Sequence, residues 1–174
     1  MPQTIADSGF QNWTPDRLPD LSGKTYLITG GNSGIGFEAA KYLSKAGGSI
    51  IIAARNLQKG SKAVEVLSAE AKGDVSLQLL DLADLSSVRR AADEVRENFS
   101  AIDGLINNAG IMQTPPQKTA DGFEMQLGTN HLGHFLLDGL LFDLVKAASG
   151  RIVTVSSIAH KFGRMYFDLS LIHI

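Results

Sequence analysis

The stretch TGGNSGIG, residues 29–36, decides the fold of this chain. It lies between an apolar run, TYLIT at residues 25–29, and a segment with helical periodicity from about Ile35 to Ala46. Gly30, Gly34 and Gly36 give the spacing G-x-x-x-G-x-G. Such glycines permit a tight turn and let backbone N–H groups approach a pyrophosphate at a helix N-terminus, where the helix dipole favours negative charge. The pattern predicts either a dinucleotide-binding turn or a tight strand-to-helix connection that holds no ligand.

Two other glycine-containing motifs fail at this stretch. Gly31 and Gly36 have the outer spacing of a triphosphate-binding P-loop, but Phe37 and Glu38 occupy the places of its lysine and hydroxyl residue. Ser33 lies between glycines as in the nucleophile elbow of hydrolases, but the fifth position of that pattern is Ile35, whose side chain would crowd the strained turn. We therefore expect neither a nucleotide triphosphatase nor an acyl-transfer serine.

Strand-like and helix-like patterns alternate along the rest of the chain. Four further strands are predicted from SIIIAA, VSLQLL, GLIN and RIVTVSS, at residues 49–54, 75–80, 104–107 and 151–157. The helical patterns between them run from Leu57 to Ala71, from Leu85 to Phe99 and from about Phe123 to Lys146. Strands that are apolar on both faces and alternate with helices are typical of a parallel sheet with helices on each side. The predicted fold class is α/β, a Rossmann-type doubly wound parallel sheet.

The composition is that of an ordinary soluble domain. The 174 residues are 44% hydrophobic and 20% charged, carry a net charge of −2 and include no cysteine. This argues against nucleic acid or an anionic membrane as the main partner and excludes disulfides and thiolate metal sites. The N-terminus has no apolar signal region, and HFLLDGLLFDLV (residues 134–145) is interrupted by Asp138 and Asp143 and is too short to span a bilayer. We expect a cytoplasmic protein without a membrane span.

Five motifs occur in a familiar order. TGGNSGIG is followed by Asp81–Leu82, by NNAG at residues 107–110, by TNHLGHF at residues 129–135 and by RIVTVSS. In this order and spacing the chain resembles the short-chain dehydrogenase/reductase family, above all its retinol-dehydrogenase-like and protochlorophyllide-reductase-like branch, over roughly Leu21 to Gly163. The resemblance implies hydride transfer between a nicotinamide cofactor and a small alcohol or carbonyl substrate. It also implies a seven-stranded sheet, of which this chain supplies five strands.

The end of the second strand bears on the choice of cofactor. An acidic residue there binds the ribose 2′-hydroxyl of NAD, whereas a cation accommodates the 2′-phosphate of NADP. The segment IIIAARNLQKG, residues 50–60, places Arg55 at this point and offers no acid before Glu65. NADP(H) is therefore favoured over NAD(H), although Arg55 also fits a solvated charge at a strand end.

The remaining cofactor residues are implied by the resemblance. Residues of TGGNSGIG would bind the pyrophosphate, Asp81 would contact the adenine with Leu82 beside it, and the segment Asn108–Gly110 would line the adenosine ribose. Asp81 also fits a helix cap, although Asp84 is better placed for capping. Asn107 is expected to tie neighbouring strands together. The cofactor set is Gly30, Asn32, Ser33, Gly34, Ile35, Gly36, Arg55, Asp81, Leu82, Asn108, Ala109 and Gly110.

The catalytic residues are likewise implied by the resemblance. Ser157 matches the serine that hydrogen-bonds the substrate oxygen, and Asn130 matches the asparagine of the proton relay; Ser157 also fits a serine that satisfies local backbone at a strand end. The family's base is a tyrosine with a lysine four residues later, because a phenol with a pKa near 10 needs a nearby cation to ionise at neutral pH. Tyr166 has Ser170 at that position, so we interpret it as a loop or packing aromatic, and we interpret Ser156 as structural.

Histidines offer no metal site in the sequence. His131 and His134 are expected to share a helical face, and His160 follows the serines, but no third ligand converges with them. We expect packing and capping roles for all three.

The last residues, LSLIHI at 169–174, fit neither the family pattern nor a helix end. We therefore expect a C-terminally truncated member: a polar lead-in (1–20), a partial dinucleotide-binding domain (21–163) and an aberrant tail (164–174). Such a chain would leave RIVTVSS as an edge strand, bind NADP(H) weakly and transfer no hydride. A homo-oligomer is expected for a full-length protein and is doubtful for this chain. The alternatives are a non-catalytic dinucleotide-binding sensor or interaction protein and a nonfunctional fragment.

Overall fold

A computed structural model describes residues 13–157. Within this range a five-stranded parallel sheet has the strand order β3-β2-β1-β4-β5. The strands are β1 (Thr25–Thr29), β2 (Ser49–Ala54), β3 (Val75–Leu79), β4 (Gly104–Asn107) and β5 (Arg151–Thr154). The helices are α1 (Gly34–Lys45), α2 (Leu57–Ser68), α3 (Leu85–Asn98), α4 (Met125–Leu127) and α5 (Gly133–Ala147), with a 3₁₀ turn at Pro15–Arg17 and a π-helical segment at Gly128–Leu132. The predicted Rossmann-type fold is confirmed.

Helices cover both faces of the sheet because neighbouring residues of each central strand point in opposite directions. On one face Leu27 and Leu105 pack with Val88 of α3 and Leu141 of α5. On the other face Ile28, Ile50 and Ile52 pack with Ala40 of α1 and Leu67 of α2. Each such fully buried side chain contributes roughly 1.5–3 kcal/mol relative to leaving it exposed.

The strand order places a crevice at the centre of the sheet. The chain moves outward from β1 to β2 and β3, then crosses back so that β4 pairs with β1 and β5 pairs with β4. The direction of winding thus reverses between β1 and β4. In open α/β sheets, ligands bind at the carboxyl ends of the strands where this reversal occurs.

Within residues 13–157 β5 lies at one edge of the sheet, as expected, and β3 lies at the other. The apolar residues of these two strands are not buried on both faces, and Val153 of β5 is 49% exposed. One expectation about the helices is wrong. The helix expected from Phe123 to Lys146 is interrupted by the π-helical segment. That segment lies beside the crevice, which makes it part of the site described below.

Some predictions fall outside the described residues. They concern His160 and Tyr166, the first twelve residues of the lead-in and the tail at 164–174. Among residues 13–157, no helix is both long enough and apolar enough to cross a membrane.

Candidate dinucleotide site

A cleft of about 520 Å³ lies at the carboxyl ends of the central strands. Ten of the twelve predicted cofactor residues line it: Gly30, Asn32, Ser33, Ile35, Arg55, Asp81, Leu82, Asn108, Ala109 and Gly110. Gly34 lines a shallower depression beside Ser33. The structure thus brings together predicted residues from four separate stretches of the chain in one cavity.

The glycines of the first turn are needed for two different reasons. Gly30 and Gly34 have φ values of +65° and +57°, in the left-handed region that favours glycine. Gly36 is needed because of close approach: a Cβ there would overlap the Asn108 side-chain amide and lie 2.7 Å from the Gly30 carbonyl oxygen. Helix α1 begins at Gly34 after Ser33, whose side chain makes no capping hydrogen bond. The first turn of α1 therefore forms a backbone cradle of the kind that receives a pyrophosphate.

The opposite wall of the cleft is held by Thr29. Its hydroxyl accepts hydrogen bonds from the backbone N–H groups of Asn108 and Ala109 at 2.9 and 3.0 Å. The Asn108 side chain returns a hydrogen bond to the Thr29 carbonyl at 2.8 Å. Since Thr29 is buried, these hydrogen bonds fix the backbone of the 108–110 segment relative to β1.

Two cations lie at the end of β2. Arg55 follows the strand directly, and Lys59 lies within the first turn of α2; both line the cleft and both are exposed. Asn56 caps α2 by accepting the Lys59 N–H at 2.8 Å, which fixes the start of the helix beside the cleft. Sequence reasoning missed Lys59, although its place in the first turn of a helix that starts at the strand end was the available signal.

Asp81 is the carboxylate in the cleft lining. Its Oδ1 accepts the Ala83 N–H at 2.9 Å, which closes a turn after β3. The cap of α3 is Asp84, whose Oδ1 accepts the N–H groups of Ser86 and Ser87 at 2.8 and 3.3 Å. Hydrogen bonding, chiefly from the Ser86 hydroxyl, lowers the pKa of Asp84. Capping of α3 is therefore the role of Asp84, and Asp81 closes the preceding turn while lining the cleft.

Leu82 is held in the cleft wall by close helix packing. A side chain at Gly133, the first residue of α5, would overlap the Leu82 carbonyl. The absence of a side chain at this position lets α5 approach the loop after β3 directly.

Of the two predicted catalytic residues, one lies beside the cleft. The Asn130 side chain is paired with the main chain of Ile111, which lines the cleft, through bonds of 2.8 and 2.9 Å. Ser157 lies three residues beyond β5; it is exposed and is not among the lining residues. The chain still follows β4 as far as Val155, whose N–H donates to the Asn107 carbonyl at 2.9 Å. The described residues therefore place Asn130, but not Ser157, next to the predicted cofactor residues.

Asn107 ties neighbouring strands together through its main chain, as expected, because its carbonyl accepts the Val155 N–H; its side chain has a different partner. Its Nδ2 donates to both carboxylate oxygens of Asp138 on α5, each at 2.9 Å, because β4 presents this residue to the overlying helix. Burial raises the pKa of Asp138, and the bond from Asn107 opposes that rise. Asn107 Oδ1 is buried and has no partner among the described residues.

The two helical histidines do not share a face. His134 is 5% exposed, whereas His131 is exposed and its ring lies 6.2 Å from that of Phe135. The expectation is wrong because His131 belongs to the π-helical segment, whose turn holds more residues than an α-helical one. Among residues 13–157, no group of three or more His, Cys, Asp or Glu side chains is arranged to hold a metal ion.

Fold and cleft together define a dinucleotide-binding α/β protein. The family model for short chain dehydrogenase matches residues 24–168. The chain belongs to this family of oxidoreductases.

Individual relatives agree with this assignment. The chain is 47% identical over 150 residues to human (Homo sapiens) retinol dehydrogenase 13, a match covering 85% of this chain and 45% of that protein. A crystal structure of an uncharacterized protein from Mycobacterium Paratuberculosis is 47% identical, with a TM-score of 0.79 over 90% of this chain and 54% of that one. The Pseudomonas aeruginosa RhlG/NADP active-site complex is 28% identical, with a TM-score of 0.71 over 80% of this chain and 57% of that one. The chain spans about half the length of the curated relatives it matches.

Proposed function

We propose that this chain is the NADP(H)-binding part of an oxidoreductase that transfers hydride between the nicotinamide and a small alcohol or carbonyl substrate. One observation carries the choice of NADP(H). Arg55 and Lys59 both line the cleft where β2 ends, and the carboxylate of the lining, Asp81, follows β3 instead. A 2′-phosphate needs cations at this place, whereas the 2′-hydroxyl of NAD needs an acid.

The residues present fit the dinucleotide. The first turn of α1 would receive the pyrophosphate on backbone N–H groups, since Gly36 leaves room where a Cβ would overlap Asn108. Arg55 would face the 2′-phosphate with its planar fork and Lys59 with a point charge. Asp81 and Leu82 would flank the adenine, and the fixed 108–110 backbone would line the ribose. The cofactor supplies the hydride chemistry when bound.

Chemistry in this chain would fall to Ser157 and Asn130. Ser157 would donate a hydrogen bond to the substrate oxygen, and Asn130 would belong to the proton relay. None of the three tyrosines, Tyr26, Tyr42 and Tyr166, has a lysine four residues later. We therefore propose that the 174-residue chain binds NADP(H) but does not itself transfer hydride. A dinucleotide-binding sensor without catalysis is the second candidate.

Calorimetric titration of the 174-residue chain with NADPH and with NADH tests the cofactor assignment. We expect tighter binding of NADPH. Arg55→Gln and Lys59→Gln should each weaken NADPH binding by about three- to tenfold, the range for exposed charge-assisted hydrogen bonds, and leave NADH binding unchanged. Lys62→Gln is the matched control, because Lys62 is an exposed lysine of α2 outside the cleft lining.

Equal affinity for the two nucleotides, or an Arg55→Gln effect no larger than that of Lys62→Gln, would contradict the assignment. Carbonyl-dependent oxidation of NADPH by the unmodified chain would contradict the proposed lack of hydride transfer. Sequencing of transcripts beyond residue 174 separates the two candidates: a continuation with Tyr-x-x-x-Lys selects the oxidoreductase, and a consistent stop selects the sensor. The domain limits, the cytoplasmic location and a homo-oligomeric full-length form stay predictions.

A further inference from the structure

A buried histidine, His134, links the π-helical segment to the Thr29 hydroxyl at the end of β1. His134 Nδ1 lies 2.8 Å from the backbone carbonyl oxygen of Asn130, and its Nε2 lies 2.8 Å from the Thr29 hydroxyl. The same hydroxyl accepts the N–H groups of Asn108 and Ala109. A continuous chain of hydrogen bonds therefore runs from the π-helical segment to the backbone of the 108–110 segment.

The donors and acceptors along this chain fix where the protons lie. The Asn130 carbonyl can only accept, so Nδ1 carries the ring proton. In a neutral ring Nε2 is then an acceptor, and the Thr29 hydroxyl donates to it at 2.8 Å; the Ile106 carbonyl, 3.4 Å from the same hydroxyl, is the more distant acceptor. The two lone pairs of that hydroxyl are filled by the N–H groups of Asn108 and Ala109. A second ring proton at Nε2 would place a third donor on an oxygen that has no free lone pair.

The surroundings of the ring agree with a neutral His134. Burial is the main influence, and it lowers the pKa of His134. The Asn130 carbonyl and the Asp138 carboxylate act in the opposite direction, while His131 adds to the lowering. Asp138 and His131 are the titratable groups that act on the ring within residues 13–157. The contacts from β1 and from the 108–110 segment come from uncharged groups.

We infer that His134 is a positioning residue: its neutral Nδ1–H tautomer orients the Thr29 hydroxyl and so holds the Asn108 and Ala109 backbone in the geometry that the dinucleotide requires. The inference rests on the proposed function for the identity of the ligand. It assigns a role to a histidine for which the sequence indicated only packing or capping. It also explains why a buried polar side chain lies at the start of an otherwise apolar helix face.

Ring-nitrogen NMR of the unmodified 174-residue chain tests the tautomer without any ligand. The His134 signals are identified by their loss in His134→Gln. We expect a protonated Nδ1 and an unprotonated Nε2 between about pH 6 and pH 8, where an ordinary histidine titrates. An Nε2-protonated ring, or a ring that titrates normally in this range, would overturn the inference. Because this measurement uses the unmodified protein, it decides the question even where a variant fails to fold.

Two further measurements test the positioning role. Amide hydrogen exchange at Asn108 and Ala109 should be faster in His134→Gln and in Thr29→Val, and close to normal in Thr29→Ser, which keeps the hydroxyl. Both disruptive variants should weaken NADPH and NADH binding alike, by about five- to tenfold, the equivalent of one buried hydrogen bond. The double variant should lose little more than Thr29→Val alone, since His134 acts on the 108–110 backbone through the Thr29 hydroxyl. His131→Gln, a change of the exposed neighbouring histidine, is the control and should change neither readout.

The outcomes separate this inference from the proposed function. Unchanged exchange and unchanged affinity in His134→Gln overturn the positioning role, while the Arg55 result stands. A chain that binds no dinucleotide overturns the proposed function, and amide exchange with the NMR tautomer still decides whether His134 holds the 108–110 backbone.

Discussion

The side-chain amide of Asn130 pairs with the main chain of Ile111 through both its oxygen and its nitrogen. Oδ1 accepts the Ile111 N–H at 2.8 Å, and Nδ2 donates to the Ile111 carbonyl at 2.9 Å. One side chain thus anchors the loop after β4 to the π-helical segment, 19 residues further along the chain. Only an amide offers a donor and an acceptor at this spacing.

Asn130→Asp should destabilise the fold, because a carboxylate cannot donate to the Ile111 carbonyl and would face it with a second acceptor. The expected loss is about 1–3 kcal/mol in the free energy of unfolding, measured by urea denaturation at neutral pH. Asn56→Asp is the matched control. Asn56 caps α2 through its Oδ1 alone, and aspartate caps equally well. A similar loss in both variants would count against the bidentate pairing.

Gly36→Ala should abolish dinucleotide binding. A Cβ there would overlap the Asn108 side chain and approach the Gly30 carbonyl to 2.7 Å, so the cradle has to open. We expect a loss of about 1–3 kcal/mol of stability, together with the loss of calorimetric heat on addition of NADPH.

Gly139→Ala provides the control for that change. Gly139 is an exposed position of α5 with no heavy atom within 4 Å of an added Cβ, so alanine should stabilise the helix by about 0.4–1 kcal/mol. Unimpaired NADPH binding by the Gly36→Ala chain would mean that the first turn does not form the phosphate site.

Asp138→Asn should stabilise the protein at neutral pH. The new amide could accept from Asn107 Nδ2 and donate to Asn107 Oδ1, which has no partner among the described residues, for a gain of about 0.5–1.5 kcal/mol. Because burial raises the folded pKa of Asp138, its favourable contribution is complete below the unfolded pKa and is lost as the pH rises through the folded pKa. The advantage of the variant should therefore grow above about pH 4.

Asp143→Asn on the same helix should destabilise the protein at neutral pH, the opposite of Asp138→Asn. Arg96 donates to both Asp143 oxygens and lowers the pKa of that carboxyl, so its contribution is present above the unfolded pKa and is lost as the pH falls. Thermal melts of both variants and of the unmodified chain across the acid range measure how the stability effect of each substitution changes with pH. The same change with pH for both substitutions would refute the assignment of opposite pKa shifts.

Much of the framework could be predicted because it depends on local pattern. The bounds of β1, β2 and β4 coincide with the apolar runs. Ten predicted cofactor residues meet in one cleft because the carboxyl ends of neighbouring parallel strands lie at the same edge of the sheet. The Asn107–Asp138 bond joins residues 31 positions apart and has no local signature. The exposure of β3 depends on its place at the side of the sheet, which its apolar composition does not reveal.

The π-helical segment was also beyond the sequence pattern, since a shift of a few backbone hydrogen bonds leaves the hydrophobic period almost unchanged. It is the reason why His131 and His134 face different surroundings. Lys59 was missed for a simpler reason: the prediction considered the residue at the strand end, Arg55, and not the first turn of the helix that follows.

The wider winding of residues 128–132 makes the length of this stretch a constraint in its own right. If the π-helical winding were kept, deleting one residue would rotate everything downstream by about 100°, and His134 would lose Thr29. If the turn instead closed to an α-helical one, the residues inside it would move, and Asn130 would lose Ile111. Point substitutions at the exposed positions of this stretch should therefore be accepted far more readily than any change in the number of its residues.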